Sequence, residues 1–92
     1  MNSDGITAFW AWWPDGRIKI EAAISSGFDD ALVAEINERV SAIEADLDWE
    51  LAPGAVAEHA FCMSAKGDPE GRLVAEIWRQ RGPAADATWE YH

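Results

Sequence analysis

Apolar residues recur at intervals of three and four in two segments of the chain, and this spacing predicts two amphipathic helices. The first covers residues 28–47, where Asp29 and Asp30 suit the positive N-terminal end of a helix. The second covers residues 66–83, with Asp68 as a candidate N-cap and a Gly-Pro pair as its stop. The inner stripe of this second helix is predicted to contain Leu73, Val74, Ile77, Trp78 and Arg81.

Three shorter segments are predicted to be strands: residues 48–55, 58–65 and 87–92. The first places Trp49 and Leu51 on one face, and the second is apolar enough to be central in a sheet. A short turn joins these two strands, so they should pair antiparallel. A helix separates the second strand from the third, and this connection suits a parallel pair with a right-handed crossover.

The opening segment, residues 7–26, fits two structures, and the pattern alone favours neither. The letters WPDGR are a turn signal that would join two strands of a hairpin. In the hairpin, Ile18, Ile20, Ala22 and Ile24 would lie on one face of the second strand. A helix would instead align Trp10, Trp13, Arg17, Ile20 and Ile24. The helix would need Pro14 in its first turn, where a missing N–H has no cost, and residues 1–5 would be a frayed end.

These elements predict one α+β domain over residues 1–92. Two N-terminal helices, the first of them replaceable by a hairpin, precede a β-β-α-β unit. The unit forms a three-stranded sheet with the helices on one face. The other face is then expected to expose apolar and aromatic side chains, and monomers rarely expose large patches of that kind. The sequence therefore predicts a homodimer, the commonest type of oligomer.

Charge narrows the range of partners. Seventeen acidic residues oppose seven basic ones, for a net charge of −10. This excess disfavours binding to nucleic acid or to an anionic membrane. Nine of the acids lie between Asp29 and Glu58, where Arg39 is the single base. The acidic face either keeps the chain soluble or binds a basic protein partner. For the second role the contact residues are predicted to be Glu35, Glu38 and Glu44.

Candidate chemistry is sparse. Cys62 is the one cysteine, which excludes an intramolecular disulfide and suits the reducing cytoplasm. His59 and Cys62 are three residues apart on a predicted strand, so they face opposite sides and cannot form a Cys–His dyad. Two ligands are too few for a metal site. The sequence thus predicts no catalytic residue, no cofactor and no metal, and it predicts that Cys62 is buried and structural.

The six tryptophans are mostly expected in the core, since a short chain needs large side chains to build one. Trp10, Trp13 and Trp78 fall on stripes that should face inwards. Trp12 lies off the helical stripe, so it is predicted to be exposed and to serve as a contact residue. The apolar run ITAFWAWW is too short to span a bilayer and lacks the basic flank of a signal peptide.

Four short motifs carry a resemblance that covers nearly the whole chain: FWAWW, WELAPG, KGDP and PAADATWEYH. The chain resembles a little-studied family of small bacterial proteins with an FWxWW-type aromatic opening, a KGDP turn before the last helix and a terminal TWEYH strand. The resemblance implies a helix over residues 9–26 and no established activity. Pro14 departs from the pattern of this family. Similar proteins run a few residues past the final strand, so this chain is expected to stop early.

Two classes of function remain open. The first is a non-catalytic protein-interaction module that acts through an acidic helix face or an exposed sheet face. The second is a small-molecule-binding protein or an enzyme with a pocket lined by tryptophan. A deep cavity beside Trp12 with a titratable residue would favour the second class.

Overall fold

A computed structural model of the chain describes residues 2–92. It contains three helices and one three-stranded sheet, and the α+β class and the order of elements predicted from the sequence are confirmed. The elements are α1 Ser3–Ser26, α2 Asp30–Ser41, β1 Asp48–Pro53, β2 His59–Ser64, α3 Pro69–Arg81 and β3 Trp89–Tyr91. All three helices pack on the same face of the sheet.

The opening segment is a single helix of 24 residues, so the hairpin alternative is wrong. Side chains at spacings of three, four and seven, namely Ile6, Phe9, Trp13 and Ile20, are buried along it. Pro14 lies in the interior of α1 and not in its first turn. Burial of this long stripe outweighs the cost of a proline within a helix, which is about 3 kcal/mol.

The N-terminus of α1 is tied to the end of α2, and two boundary predictions fail there. Asn2 caps α1 by accepting a hydrogen bond from the Gly5 N–H at 3.2 Å, and its own N–H donates to the Ile43 carbonyl at 3.1 Å. Residues 2–5 are therefore not frayed; Met1 lies outside the described residues. α2 ends at Ser41 rather than at residue 47. The Ile43 carbonyl accepts the Asn2 N–H, and the Leu47 N–H donates to the Glu44 carbonyl instead of continuing the helical bonds.

The sheet has the order β1-β2-β3, with β1 antiparallel to β2 and β2 parallel to β3, as the sequence predicts. Strand side chains alternate between faces, so the register assigns each residue to one side. The side under the helices is large and mostly aromatic. It carries Trp49, Leu51, Phe61, Met63, Trp89 and Tyr91.

The opposite face of the sheet differs from its prediction. Its side chains are small or acidic, not apolar and aromatic: Asp48, Glu50, Ala52, Ala60, Cys62, Ser64 and Glu90. Residues 54–57 fold over part of this face, and Ala60 beneath them is buried. The bulky residues of each strand all fall at alternate positions on the helix side, so the apolar face that motivated the homodimer prediction is not present.

Both edges of the sheet are blunted against pairing with another strand. At the β3 edge, Asp86 donates its N–H to the Trp89 carbonyl at 3.0 Å and accepts the Trp89 N–H on its carboxylate at 2.8 Å. At the β1 edge, the Asp48 carboxylate accepts the Trp49 N–H at 2.9 Å, and Pro53 has no N–H to offer. The outward N–H and carbonyl groups of Trp89 are therefore already bonded within the chain.

α3 begins as predicted, with the Asp68 carboxylate accepting the N–H groups of Glu70 and Gly71. Its buried stripe is displaced from the predicted one. Val74 and Trp78 face the core, but Leu73 is 61% exposed and Arg81 is also exposed. The inward face is centred on Gly71, Val74, Ala75 and Trp78. The spacing of apolar residues does not distinguish this face from one that is shifted by one residue.

Candidate functional site

The tryptophans tie the elements together through both their rings and their indole N–H groups. Five of the six donate that N–H to an acceptor on a different element, and within residues 2–92 Trp78 has no such acceptor. The pairs are Trp10 with the Trp78 carbonyl, Trp12 with Glu35, Trp13 with Tyr91, Trp49 with Asn37 and Trp89 with Glu21. Most of the opening aromatic cluster is core, as predicted, and it also aligns α1 on the other elements.

Trp12 is buried, with only 8% of its surface exposed, so its predicted exposure is wrong. Its ring lies over Gly16, one turn later on α1, where a Cβ atom would come within 2.5 Å of the ring. The indole N–H donates to the Glu35 carboxylate on α2 at 2.6 Å. The missing side chain at Gly16 lets a ring that starts off the stripe fold back into the core, and a Trp followed by Gly at i+4 is the sequence signal for this.

Glu35 is used within the fold. Besides the Trp12 N–H it accepts the Lys19 ammonium at 3.1 Å, which joins α1 to α2 a second time. These hydrogen bonds, that from Trp12 first, hold the pKa of Glu35 below its usual value. The Arg39 guanidinium lies over the Trp12 ring, 5.6 Å from its centre, and adds a cation–π contact. Glu35 therefore links α2 to α1, and its charge is largely used within the fold.

The other two predicted contact acids lie in different settings from Glu35. Glu38 is exposed on the outward side of α2. Glu44 lies in the turn after α2 and is half-buried, because the helix ends at Ser41. The structure therefore brings Trp12 and Glu35 into contact, whereas Glu38 stays exposed on α2 and Glu44 lies in the turn that follows.

A second ionic cluster joins α1 to the segment before β3. The Arg17 guanidinium donates to both carboxylate oxygens of Asp86, at 2.8 and 3.3 Å, and to Glu21 at 3.3 Å. The hydrogen bond from Arg17 lowers the pKa of Asp86 to about 2. Glu21 in turn accepts the Trp89 indole N–H at 2.8 Å. All of these groups serve packing between α1 and β3.

Glu90 is a buried carboxylate that sequence reasoning missed. Its Oε1 accepts the N–H groups of Val56 and Ala57, each at 2.8 Å, and its Oε2 lies 2.6 Å from His92 Nε2. The bond to His92 and the backbone N–H groups lower the pKa of Glu90 to about 2. The sequence signal for this buried carboxylate is an acid between two aromatic residues of the final strand, because alternation places that acid on the face opposite the aromatic rings. Glu90 fastens residues 54–57 to the outer face of the sheet.

Cys62 is half-buried on that outer face rather than fully buried, and His59 lies on the opposite face, as predicted. Burial, and then the charges of Glu50 and Glu90, raise the pKa of the Cys62 thiol. The neutral thiol is a poor nucleophile. Among residues 2–92 no three His, Cys, Asp or Glu side chains are grouped to hold a metal ion, and no helix there is long and apolar enough to cross a membrane.

We expect Cys62 to react slowly with a thiol reagent. At pH 7 the folded chain should be labelled at least about tenfold more slowly than the urea-unfolded chain, because the thiol is neutral and partly covered. The measurement is the absorbance of the released thiolate after addition of an aromatic disulfide reagent. Equal rates for the folded and unfolded chains would show that the fold does not protect Cys62.

A groove of about 550 Å³ lies between the outward side of α1 and the end of α3. We call it the α1–α3 groove; it is lined by Trp10, Pro14, Arg17, Ile18, Arg81 and Pro83, among others. It opens beside Trp10 and Trp13, not beside Trp12, and it is a surface cleft rather than a deep cavity.

No family model, curated protein or solved structure matches this chain. The resemblance to a family of small bacterial proteins, carried by the FWAWW, WELAPG, KGDP and PAADATWEYH motifs, stays a prediction.

Proposed function

We propose that this chain is a non-catalytic protein-binding module that takes a basic protein partner on its acidic side. The carboxylates that the fold holds most firmly, Glu35, Asp86 and Glu90, are all occupied by hydrogen bonds within the fold. This use of the best-placed acids supports a binding role over a catalytic one. The free thiol of Cys62 supports a reducing location such as the cytoplasm.

The observation that carries the proposal is the exposure of uncompensated acids between residues 29 and 58. Within residues 2–92, Asp30, Glu38 and Asp46 are exposed and make no ion pair. The exposed acids of this stretch are Asp29, Asp30, Glu38, Asp46, Asp48, Glu50 and Glu58. Such a surface attracts a basic protein and speeds its encounter, and it repels phosphates.

Reversing two of these charges should weaken capture of the partner. We expect the E38K/D46K double variant to bind about tenfold more weakly, since each exposed charge contact contributes roughly 0.2–1 kcal/mol and reversal also adds repulsion. Glu35 is left intact because it clamps Trp12 and Lys19. Binding is measured by pull-down from native lysate with mass spectrometry, and then by titration of the purified partner.

The matched control is D15K/E70K, which changes the net charge equally at exposed acids outside the stretch. This control should bind like the wild type. Higher salt should slow association of the wild type, because screening weakens long-range attraction. If E38K/D46K captures the partner as well as the wild type does, and salt has no effect, the acids between residues 29 and 58 only keep the protein soluble and the proposal is wrong.

We also propose that the chain forms a homodimer. Support comes from large apolar side chains that remain exposed on the helices outside the α1–α3 groove, with Leu73 of α3 at 61% and Ile24 of α1 at 41%. Light scattering at micromolar concentration should give twice the monomer mass of 10.1 kDa. A mass near that of the monomer would contradict the proposal.

A further inference from the structure

The floor of the α1–α3 groove is rigid and apolar. The Trp10 ring stacks on the Trp78 ring with centres 4.9 Å apart, and its N–H donates to the Trp78 carbonyl at 2.9 Å. Gly82 lies directly on the Trp10 ring, so close that a Cβ atom there would overlap the ring. These three contacts fix the orientation of the Trp10 ring in the floor of the groove.

One turn further along α1, the same wall offers apolar side chains. Pro14 is exposed, and Ile18 is 65% exposed. Trp10, Pro14 and Ile18 follow each other at intervals of four residues, so they form one continuous stripe along the groove. This stripe is suited to an aliphatic group about the size of a leucine side chain.

The groove also offers one cation without an acidic partner. Arg81 is exposed, and within residues 2–92 its guanidinium makes no ion pair or hydrogen bond. Arg17, the other arginine of the groove, is occupied by Asp86 and Glu21. In a chain with a net charge of −10, Arg81 is therefore the point at which this groove attracts an anion.

A hydrogen-bond acceptor completes the set. Pro14 has no N–H, so the carbonyl of Trp10 lacks the donor that an α-helix normally supplies from four residues further on. Trp10, which carries this carbonyl, and Pro14 both line the groove. The groove thus combines an acceptor, an apolar wall and a guanidinium.

We propose that the α1–α3 groove binds a small N-acylated apolar amino acid. Its carboxylate pairs with Arg81, its amide N–H donates to the Trp10 carbonyl, and its aliphatic side chain lies on Pro14 and Ile18. This site goes beyond the proposed protein-binding function, because it uses the side of α1 next to α3 and none of the acids between residues 29 and 58.

The test titrates N-acetyl-L-leucine into the protein and follows tryptophan fluorescence together with the indole N–H signals in NMR spectra. Two relatives of the probe separate the contacts: N-acetyl-L-leucinamide lacks the carboxylate, and 4-methylpentanoic acid lacks the amide N–H. We expect N-acetyl-L-leucinamide to bind about tenfold more weakly, because it loses hydrogen bonds to a charged group. 4-Methylpentanoic acid should bind about threefold more weakly, because it loses one hydrogen bond between neutral groups. The Trp10 signal should move most.

Two arginine variants decide whether Arg81 holds the carboxylate. R81Q should bind N-acetyl-L-leucine no better than the amide, whereas R72Q, at another exposed arginine of α3 outside the groove, should bind like the wild type. Equal binding of the acid and its amide by the wild type, or equal weakening by both variants, would overturn the proposal. Loss of partner capture in E38K/D46K would leave this result unchanged, so the two proposals can fail separately.

Discussion

Replacing Trp13 with alanine should destabilise the fold by about 4 kcal/mol, the usual cost of deleting a fully buried tryptophan. Trp13 is 2% exposed, and its ring contacts those of Phe61, Trp89 and Tyr91 from its place on α1. Its N–H donates to the Tyr91 hydroxyl at 2.8 Å, so the variant also strands a buried hydroxyl. The melting temperature should fall by about 15 °C or more.

Two further variants separate the ring of Trp13 from its hydrogen bond. W13F keeps most of the buried area and loses the N–H, so it should cost about 1–2 kcal/mol. Combined with Y91F in a double-mutant cycle, it should show a coupling near 1 kcal/mol. V56A changes a side chain that is 97% exposed and should alter stability by less than about 0.5 kcal/mol. A cost for W13A no larger than that of V56A would mean that Trp13 does not anchor the core.

Replacing Pro14 with alanine should stabilise the protein by about 2 kcal/mol. An interior proline costs a helix about 3 kcal/mol, and roughly 0.4–1 kcal/mol of that gain is offset because proline also restricts the unfolded chain. Pro14 is exposed, so the variant removes no buried contact. Urea unfolding followed by circular dichroism measures the change.

The same variant should weaken the proposed ligand site, because the alanine that replaces Pro14 has a backbone N–H that would occupy the Trp10 carbonyl. D15A, at the next exposed position of α1, is the control and should change neither stability nor binding appreciably. A P14A variant that is less stable than the wild type would show that the backbone at Pro14 is required to seat Trp10 and Trp13 on the sheet.

Elements whose signal is local were predictable. The Asp68 cap, the core of α2 and the pairing of all three strands follow from spacing and from residues within a few positions. Failures concentrate where a local preference conflicts with a distant contact. Pro14 and the turn signal around it argue against a helix, and only burial of the α1 stripe against the sheet decides for one.

Site residues divide in the same way. The excess of acids between residues 29 and 58 is visible in the sequence, but which of them remain uncompensated is not. Glu35 is taken by Trp12 and Lys19, and Glu44 is drawn into a turn, while Glu38 stays exposed. The α1–α3 groove could not be predicted from the sequence either, because its two walls are 60 or more residues apart in the chain.

The sequence by itself determined the α+β class, the order of the elements, the pairing of the strands and the strongly acidic charge. These depend on periodicity and composition, which act over a few residues. Only the tertiary structure decided that α1 is one helix through Pro14, that Trp12 is buried, that Glu90 is cradled and that Arg81 stands free beside Trp10. Those outcomes depend on which distant groups meet, and packing free energy, not local propensity, selects them.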